Sequence, residues 1–347
     1  MKGSQIFLDH LKGREVAALV DDGQLQDLFI ETGSFSPGSI FRGKADRPAK
    51  GQGGIFLSMP QGKGFLRQTK GVSQGQTLIV QVSGFAESGK AIPVTTKLLF
   101  KGRFVIVTPD APGLSISRSI RDKELRDRLD EFMNDSLAPC EYGIILRSNC
   151  LIADFKDILD DAQRVLKVAR TVMTHDDQGP SMLLQADGPH RLAWREWGSI
   201  DNIQTHAGCI EESGIIDQIE ALHCSKIEIG SFNYFIEKTR ALTSIDVNTG
   251  VDSSFAAGLK ANFAMVRDLP RQLRLRGLGG QIVIDPAPMP KKYRNTLESA
   301  LKSALRADSI QTHVLGWTAL GLIELQRART RAPFSLLSEN FEITKRN

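Results

Sequence analysis

Cysteine and histidine are scarce, and neither is spaced for chemistry. The four cysteines among 347 residues, Cys140, Cys150, Cys209 and Cys224, form no CxxC pair and are too few to staple a chain of this size, which excludes a disulfide scaffold and points to a reducing, cytoplasmic setting. The six histidines, His10, His175, His190, His206, His223 and His313, show no HxxxH or HExxH spacing, so zinc chemistry has no support. Long apolar runs are missing too. No segment approaches the ~20 consecutive apolar residues that a membrane span needs. The start, MKGSQIFLDHLKGREVAAL, breaks each short apolar run with a charge, unlike a secretory signal. No GxxxxGK[ST] phosphate loop and no GxSxG elbow occurs, which sets aside nucleoside triphosphatases and the usual serine hydrolases. GLGG at Gly277 to Gly280 precedes an apolar strand instead of following one, so it reads as a helix stop and not as a dinucleotide loop. There is no internal repeat and no low-complexity tract.

What is present is an ordinary globular composition, 41% hydrophobic and 24% charged, in a chain longer than the roughly 100–200 residues of one domain. Two or more domains are expected. A net charge of +4 allows an anionic partner without requiring one, so the placement of charge has to decide.

REVAALVDDGQLQDLFIET alternates on both sides of Asp22-Gly23, which predicts a hairpin. From Ser34 to about Lys101, short apolar runs (GIFLSM, GFLRQ, TLIVQVSGF, IPVTTKLLF) separated by glycines predict about five short strands in a small barrel. KGRFVIVTPD and GIILRS read as strands, and DKELRDRLDEFMN and DFKDILDDAQRVLKVARTVM read as helices. The stretch DDQGPSMLLQADGPHRLAWREWGS suggests turns and mixed strands. Beyond Ile227 the pattern is α/β: strands in IEIGSFNYFIEK and ALTSIDVN, a helix in LKANFAMVRDLPRQLRLR, a strand in QIVID, a helix over Tyr293 to Arg306 and a strand near THVLGW. Pro270 should kink the first of these helices. The last dozen residues read as a loose tail.

Two strands end in an aspartate, Asp246 in TSID and Asp285 in IVID. Such acids either cap the next turn or, together, offer the oxygen ligands that Mg²⁺ prefers, since this ion often takes only one or two carboxylates and keeps several waters. Asn248, two residues after Asp246, falls on the same side of an extended chain. Arg267, Arg271 and Arg274 stack on one helix face, as a phosphate track or as a solvated surface. Phe56 and Phe65 lie among Lys44, Lys50, Lys63 and Lys70, either as barrel core or as stacking platforms for single-stranded nucleic acid.

RALTSIDVNTG and RQLRLRGLGGQIVIDPAPM together resemble the ribonuclease E/G family, and weaker similarity extends over most of the chain. It looks like a short, diverged bacterial member, of the ribonuclease G type. The resemblance implies an α/β multidomain fold: an RNase H-like subdomain (1–36 and 178–228), an inserted OB-fold RNA-binding barrel (37–100), a 5′-sensor-like region (101–177), a DNase I-like catalytic domain (229–334) and a tail (335–347). It implies metal-binding aspartates at Asp246 and Asp285, an active-site asparagine at Asn248, RNA-stacking rings at Phe56 and Phe65, and a barrel lysine at Lys90. Arg147 and Ser148 match an Arg-Thr pair that binds a 5′-monophosphate. The implied cofactor is Mg²⁺, with Mn²⁺ as an alternative, and the implied partner is single-stranded RNA, cleaved in RNA processing or decay, with no membrane involvement.

Several positions depart from the family pattern. VDSSFAAGLKAN is shorter and lacks its glutamates, Pro288 replaces the second acid after IVID, and Ala319 replaces an arginine. No CPxC link follows RARTRAPF, so a homo-oligomer, if formed, is not expected to be bridged by zinc. The leading expectation is therefore a metal-dependent endoribonuclease. The alternative is an RNA-binding regulator of the same family with weak or no cleavage.

Overall fold

The computed structural model describes residues 3–334 apart from 50, 52, 61, 68–69, 88, 138–140, 177–178 and 199, so Lys50, Cys140 and the expected tail lie outside the described residues. Two units are present, one made of Met1–Ile30 with Asp201–Asn347 and the other of Glu31–Ile200.

The first unit begins with a meander of β1 (Ser4–Leu11), β2 (Arg14–Asp21) and β3 (Gln24–Ile30). Both connections are two-residue turns with positive φ at each position, 51° and 78° at Lys12-Gly13 and 47° and 81° at Asp22-Gly23, which is the geometry that follows the twist of the strands. The Asp22-Gly23 hairpin is the expected one. β1 is additional, because Ile6, Phe7, Leu8 and Asp9 are buried in succession and leave no period-two signal.

In the second unit, β4 (Ile40–Ala49), β5 (Gly54–Met59), β6 (Gly62–Leu66), β7 (Thr77–Val82) and β8 (Ile92–Thr95) pair in the order β4-β5-β6-β8-β7. Pairing of β4 with β7 closes the ring into a five-stranded barrel, consistent with an OB fold. Phe41, Ile55, Leu57, Leu66, Val80 and Val94 fill it. A second sheet follows, ordered β11-β12-β10-β9, from β9 (Phe100–Lys101), β10 (Val105–Thr108), β11 (Gly113–Ile116) and β12 (Gly143–Leu146). Helices α1 (Lys123–Ser136) and α2 (Phe155–Met173) share its core, and the Asp122 side chain caps α1 by accepting the Leu125 N–H. β13 (Ser181–Leu184) pairs with β4. β13 lies in the segment expected to hold turns and mixed strands, but the later part of that segment forms a helix, α3 (Pro189–Glu196): Pro189 at its first position presets φ, but eight residues are too few for a helical period to show.

The chain returns to the first unit through β14 (Ile203–Gln204), parallel to β1, and the short helices α4 (Cys209–Glu212) and α5 (Ile215–Glu220). Its larger sheet contains β15 (Lys226–Ile229), β16 (Phe232–Lys238), β17 (Thr243–Asn248), β18 (Gly280–Asp285), β19 (Thr312–Trp317) and β20 (Ile323–Arg327), in the order β15-β16-β17-β18-β20-β19. Only β17 and β18 are parallel, and helix α6 (Phe255–Leu275) joins them. Ser254 caps α6 by accepting the Ala257 N–H, and the helix continues past the buried Pro270 to Leu275. Helix α7 (Arg294–Ala307) completes the layer. Tyr234, Ile236, Ile245, Val247, Ile282 and Ile284 form one core with α6 and α7, so the alternate residues of these strands face the other way. The side chain of Asp308, after α7, is fully buried between the guanidinium groups of Arg274 and Arg327. None of the described helices is long and apolar enough to cross a membrane.

Candidate nuclease site

Asp246 and Asp285 are direct register partners across the parallel β17–β18 pair. Their backbones are therefore about 4.8 Å apart, and both side chains point away from the helical layer because the flanking Ile245, Val247 and Ile284 point into it. Both aspartates are exposed, so their charge is solvated and open to a ligand. Asn248 lies on the same face and donates its Nδ2–H to Asp246 Oδ2 at 2.9 Å, which orients that carboxylate and leaves the amide carbonyl as a third oxygen donor. Among the described residues no group of three or more His, Cys, Asp or Glu could hold a metal. Two carboxylates with one amide oxygen suit Mg²⁺, which keeps water in its remaining positions, better than zinc.

Phe56 and Phe65 are cross-strand partners on β5 and β6, with ring centroids 5.2 Å apart. Their neighbours Ile55, Leu57 and Leu66 fill the barrel while both phenylalanines stay partly exposed, so they lie outside its core. Gly54 is required here: a Cβ would stand 2.3 Å from Phe65 Cζ. An open groove of about 690 Å³ beside Phe56 is lined by Lys44, Arg47 and Lys63, with Asp46 and Gln74. Arg47 is an addition to the residues expected from sequence. Lys90 is exposed and pairs with Glu87 at 2.5 Å.

Arg147 is held from several sides. Its Nη1 donates to the Gly102 carbonyl at 2.7 Å and its Nη2 to Glu196 at 2.6 Å. Burial alone would raise the Glu196 carboxyl, but Arg147 and Arg195 outweigh it and keep its pKa below the usual glutamate range. Ser148 is exposed at the start of a 3₁₀ turn. Glu196 escaped sequence reading because it sits in α3.

The expected arginine track is divided. Arg267 is exposed, whereas Arg271 binds Asp268 at 2.7 Å and the Leu25 carbonyl at 3.0 Å, and Arg274 binds Asp308, together with the Gln26 carbonyl at 2.8 Å. Guanidinium groups already held by carboxylate and carbonyl oxygens have few donors left for phosphate, so the track reduces to Arg267.

The architecture thus defined is an α/β protein with a closed barrel carrying an aromatic pair and a sheet carrying two carboxylates side by side. The ribonuclease E/G family model matches residues 100–197 and 190–330, more than half of the chain. The chain belongs to the ribonuclease E/G family. Ribonuclease G of Escherichia coli strain K12 is 26% identical over 90% of this chain and 77% of its own length, and ribonuclease G of Haemophilus influenzae is 25% identical over the same shares. Ribonuclease E of a Nostoc species is 24% identical over 91% of this chain and 54% of its own length.

Proposed function

We propose that the chain is a metal-dependent endoribonuclease that hydrolyses single-stranded RNA in the cytoplasm during RNA processing or decay. The observation that carries this reading is the register pairing of Asp246 with Asp285. With Asn248 they form an all-oxygen donor set, and Mg²⁺ or Mn²⁺ bound there would supply an activated water for in-line attack and offset charge on the phosphate oxygens, leaving a 5′-phosphate on the downstream product. The chain's own task is to hold the carboxylates one strand spacing apart and to bring RNA to them. The unit containing the aspartates supplies the RNase H-like and DNase I-like parts in this reading.

Phe56 and Phe65 stack bases, with Lys44, Arg47, Lys63 and Lys90 beside the phosphates. Base-aromatic stacking contributes about 1–3 kcal/mol per ring, so Phe56→Ala and Phe65→Ala should each weaken single-stranded RNA binding by that amount with little change in melting temperature. Unchanged affinity in a filter-binding titration would remove the stacking role.

Arg147 and Ser148 bind a 5′-monophosphate, which competes with Glu196 for the guanidinium. RNA with a 5′-monophosphate should be cut faster than its 5′-hydroxyl form. Glu196→Gln should widen the difference, and Arg147→Ala should close it. Equal rates on both RNAs in all three proteins would show that there is no sensing.

A second reading, an RNA-binding regulator, is favoured by Pro288, which stands where the family pattern has an acid three residues after Asp285. RNA binding without cleavage in the presence of Mg²⁺ would establish it.

A further inference from the structure

We infer that Phe235 is the stacking platform for the nucleobase next to the scissile phosphate, on the sheet face that carries Asp246 and Asp285; this rests on the cleavage reading given above. On β16 the flanking Tyr234 and Ile236 are buried in the core, while Phe235 belongs neither to that core nor to the apolar residues packed against it, and its ring is partly exposed. It therefore shares the face of the aspartate pair.

Register places it closely. Lys226, Phe235, Asp246 and Asp285 are successive cross-strand partners on β15, β16, β17 and β18, a straight row about 14 Å long at the usual strand spacing. The ring is one spacing from the first aspartate, less than the length of a nucleotide.

A partly exposed aromatic on a sheet is commonly stabilised by apolar cross-strand partners. Phe235 has none. Lys226 and Asp246 lie across from it, Asn233 and Glu237 lie two residues away on its own strand, and Ser244 and Asn248 are diagonal to it. A ring among polar groups beside a phosphodiester-cleaving pair has the properties of a base platform: a flat apolar face with a cation next to it. Lys226 is exposed and spends one of its three ammonium donors on Glu228 at 2.8 Å, which leaves two for a phosphate beyond the stacked base. The next row of the sheet carries Glu237 and Glu324, which repel a polyanion and confine it to the row of the aspartates.

The test uses the full chain and a short A/U-rich single-stranded RNA whose cleavage position is mapped, together with the same RNA bearing one abasic residue beside the cut. The protein should cut the intact RNA about 5- to 150-fold faster than the abasic one. Phe235→Ala and Phe235→Leu should cut both at one reduced rate, Phe235→Trp should restore the difference, and melting temperature should confirm that all three variants fold. An absent abasic effect, or one that survives Phe235→Ala, overturns the proposal while leaving the cleavage reading intact. If the protein cuts no RNA, the cleavage reading fails. Binding of Asp285→Asn protein to RNA with 2-aminopurine placed at each position in turn then decides: a fluorescence change at one position that disappears with Phe235→Ala supports the platform, and its absence rejects it.

Discussion

Asp246→Asn and Asp285→Asn should each lower Mg²⁺-dependent RNA cleavage by at least about 100-fold while leaving RNA affinity within a few-fold. A carboxamide keeps the shape of the carboxylate but loses the charge that a hard cation requires, so the metal is lost without disturbing the strand. Each aspartate sits at the solvent face of a strand whose alternate residues are buried, so neither substitution touches the core. The Asn248 contact is expected to respond differently, since an amide at position 246 can still accept the Asn248 N–H. Single-turnover rates with protein in excess over a labelled RNA measure the chemical step. Undiminished cleavage by both variants would remove the metal assignment.

The largest effect on stability is expected at Asp308. Both of its oxygens serve guanidinium groups: Oδ2 lies 2.7 Å from Arg327 Nη2, both side chains being fully buried, and Oδ1 meets the partly buried Arg274. Burial presses the Arg327 pKa below the usual arginine value, and the Asp308 charge opposes that pressure. Asp308→Ala leaves the fully buried Arg327 without its carboxylate, while Arg274 keeps Asp27 at 3.6 Å, and should cost about 3–5 kcal/mol, whereas adding Arg327→Met to that variant should recover much of the loss. Urea unfolding followed by far-UV circular dichroism measures this, and a loss below about 1 kcal/mol would mean that water or another acceptor replaces the carboxylate. Arg274 also binds the Gln26 carbonyl, so the transition of the unit that contains β3 should be the one that moves.

Sequence alone revealed local signals and missed assembled ones. The amphipathic period of α2 and the Asp22-Gly23 turn are complete within a few residues, and both elements form where expected. β1 was hidden because it is buried on both faces, and α3 because it is only eight residues long. Asp246 and Asp285 were visible as acids near strand ends, but their pairing depends on the crossover through the 21-residue helix α6, which no local pattern encodes. The spacing of Arg267, Arg271 and Arg274 correctly gives one helix face, yet the carboxylates that occupy two of them come partly from distant segments, Asp308 among them. Phe235 escaped notice for the same reason, since what makes it conspicuous is the polarity of neighbours contributed by β15 and β17.

The most direct measurement is the incubation of the purified full chain with a 5′-monophosphorylated, A/U-rich single-stranded RNA, once with Mg²⁺ and once with chelator, followed by analysis of the new 5′ ends. Cleavage with Mg²⁺ alone and a 5′-phosphate on the downstream fragment are the predicted result. Cleavage that persists in chelator, a 5′-hydroxyl on the downstream fragment, or intact RNA under both conditions would contradict a metal-dependent nuclease built on Asp246 and Asp285.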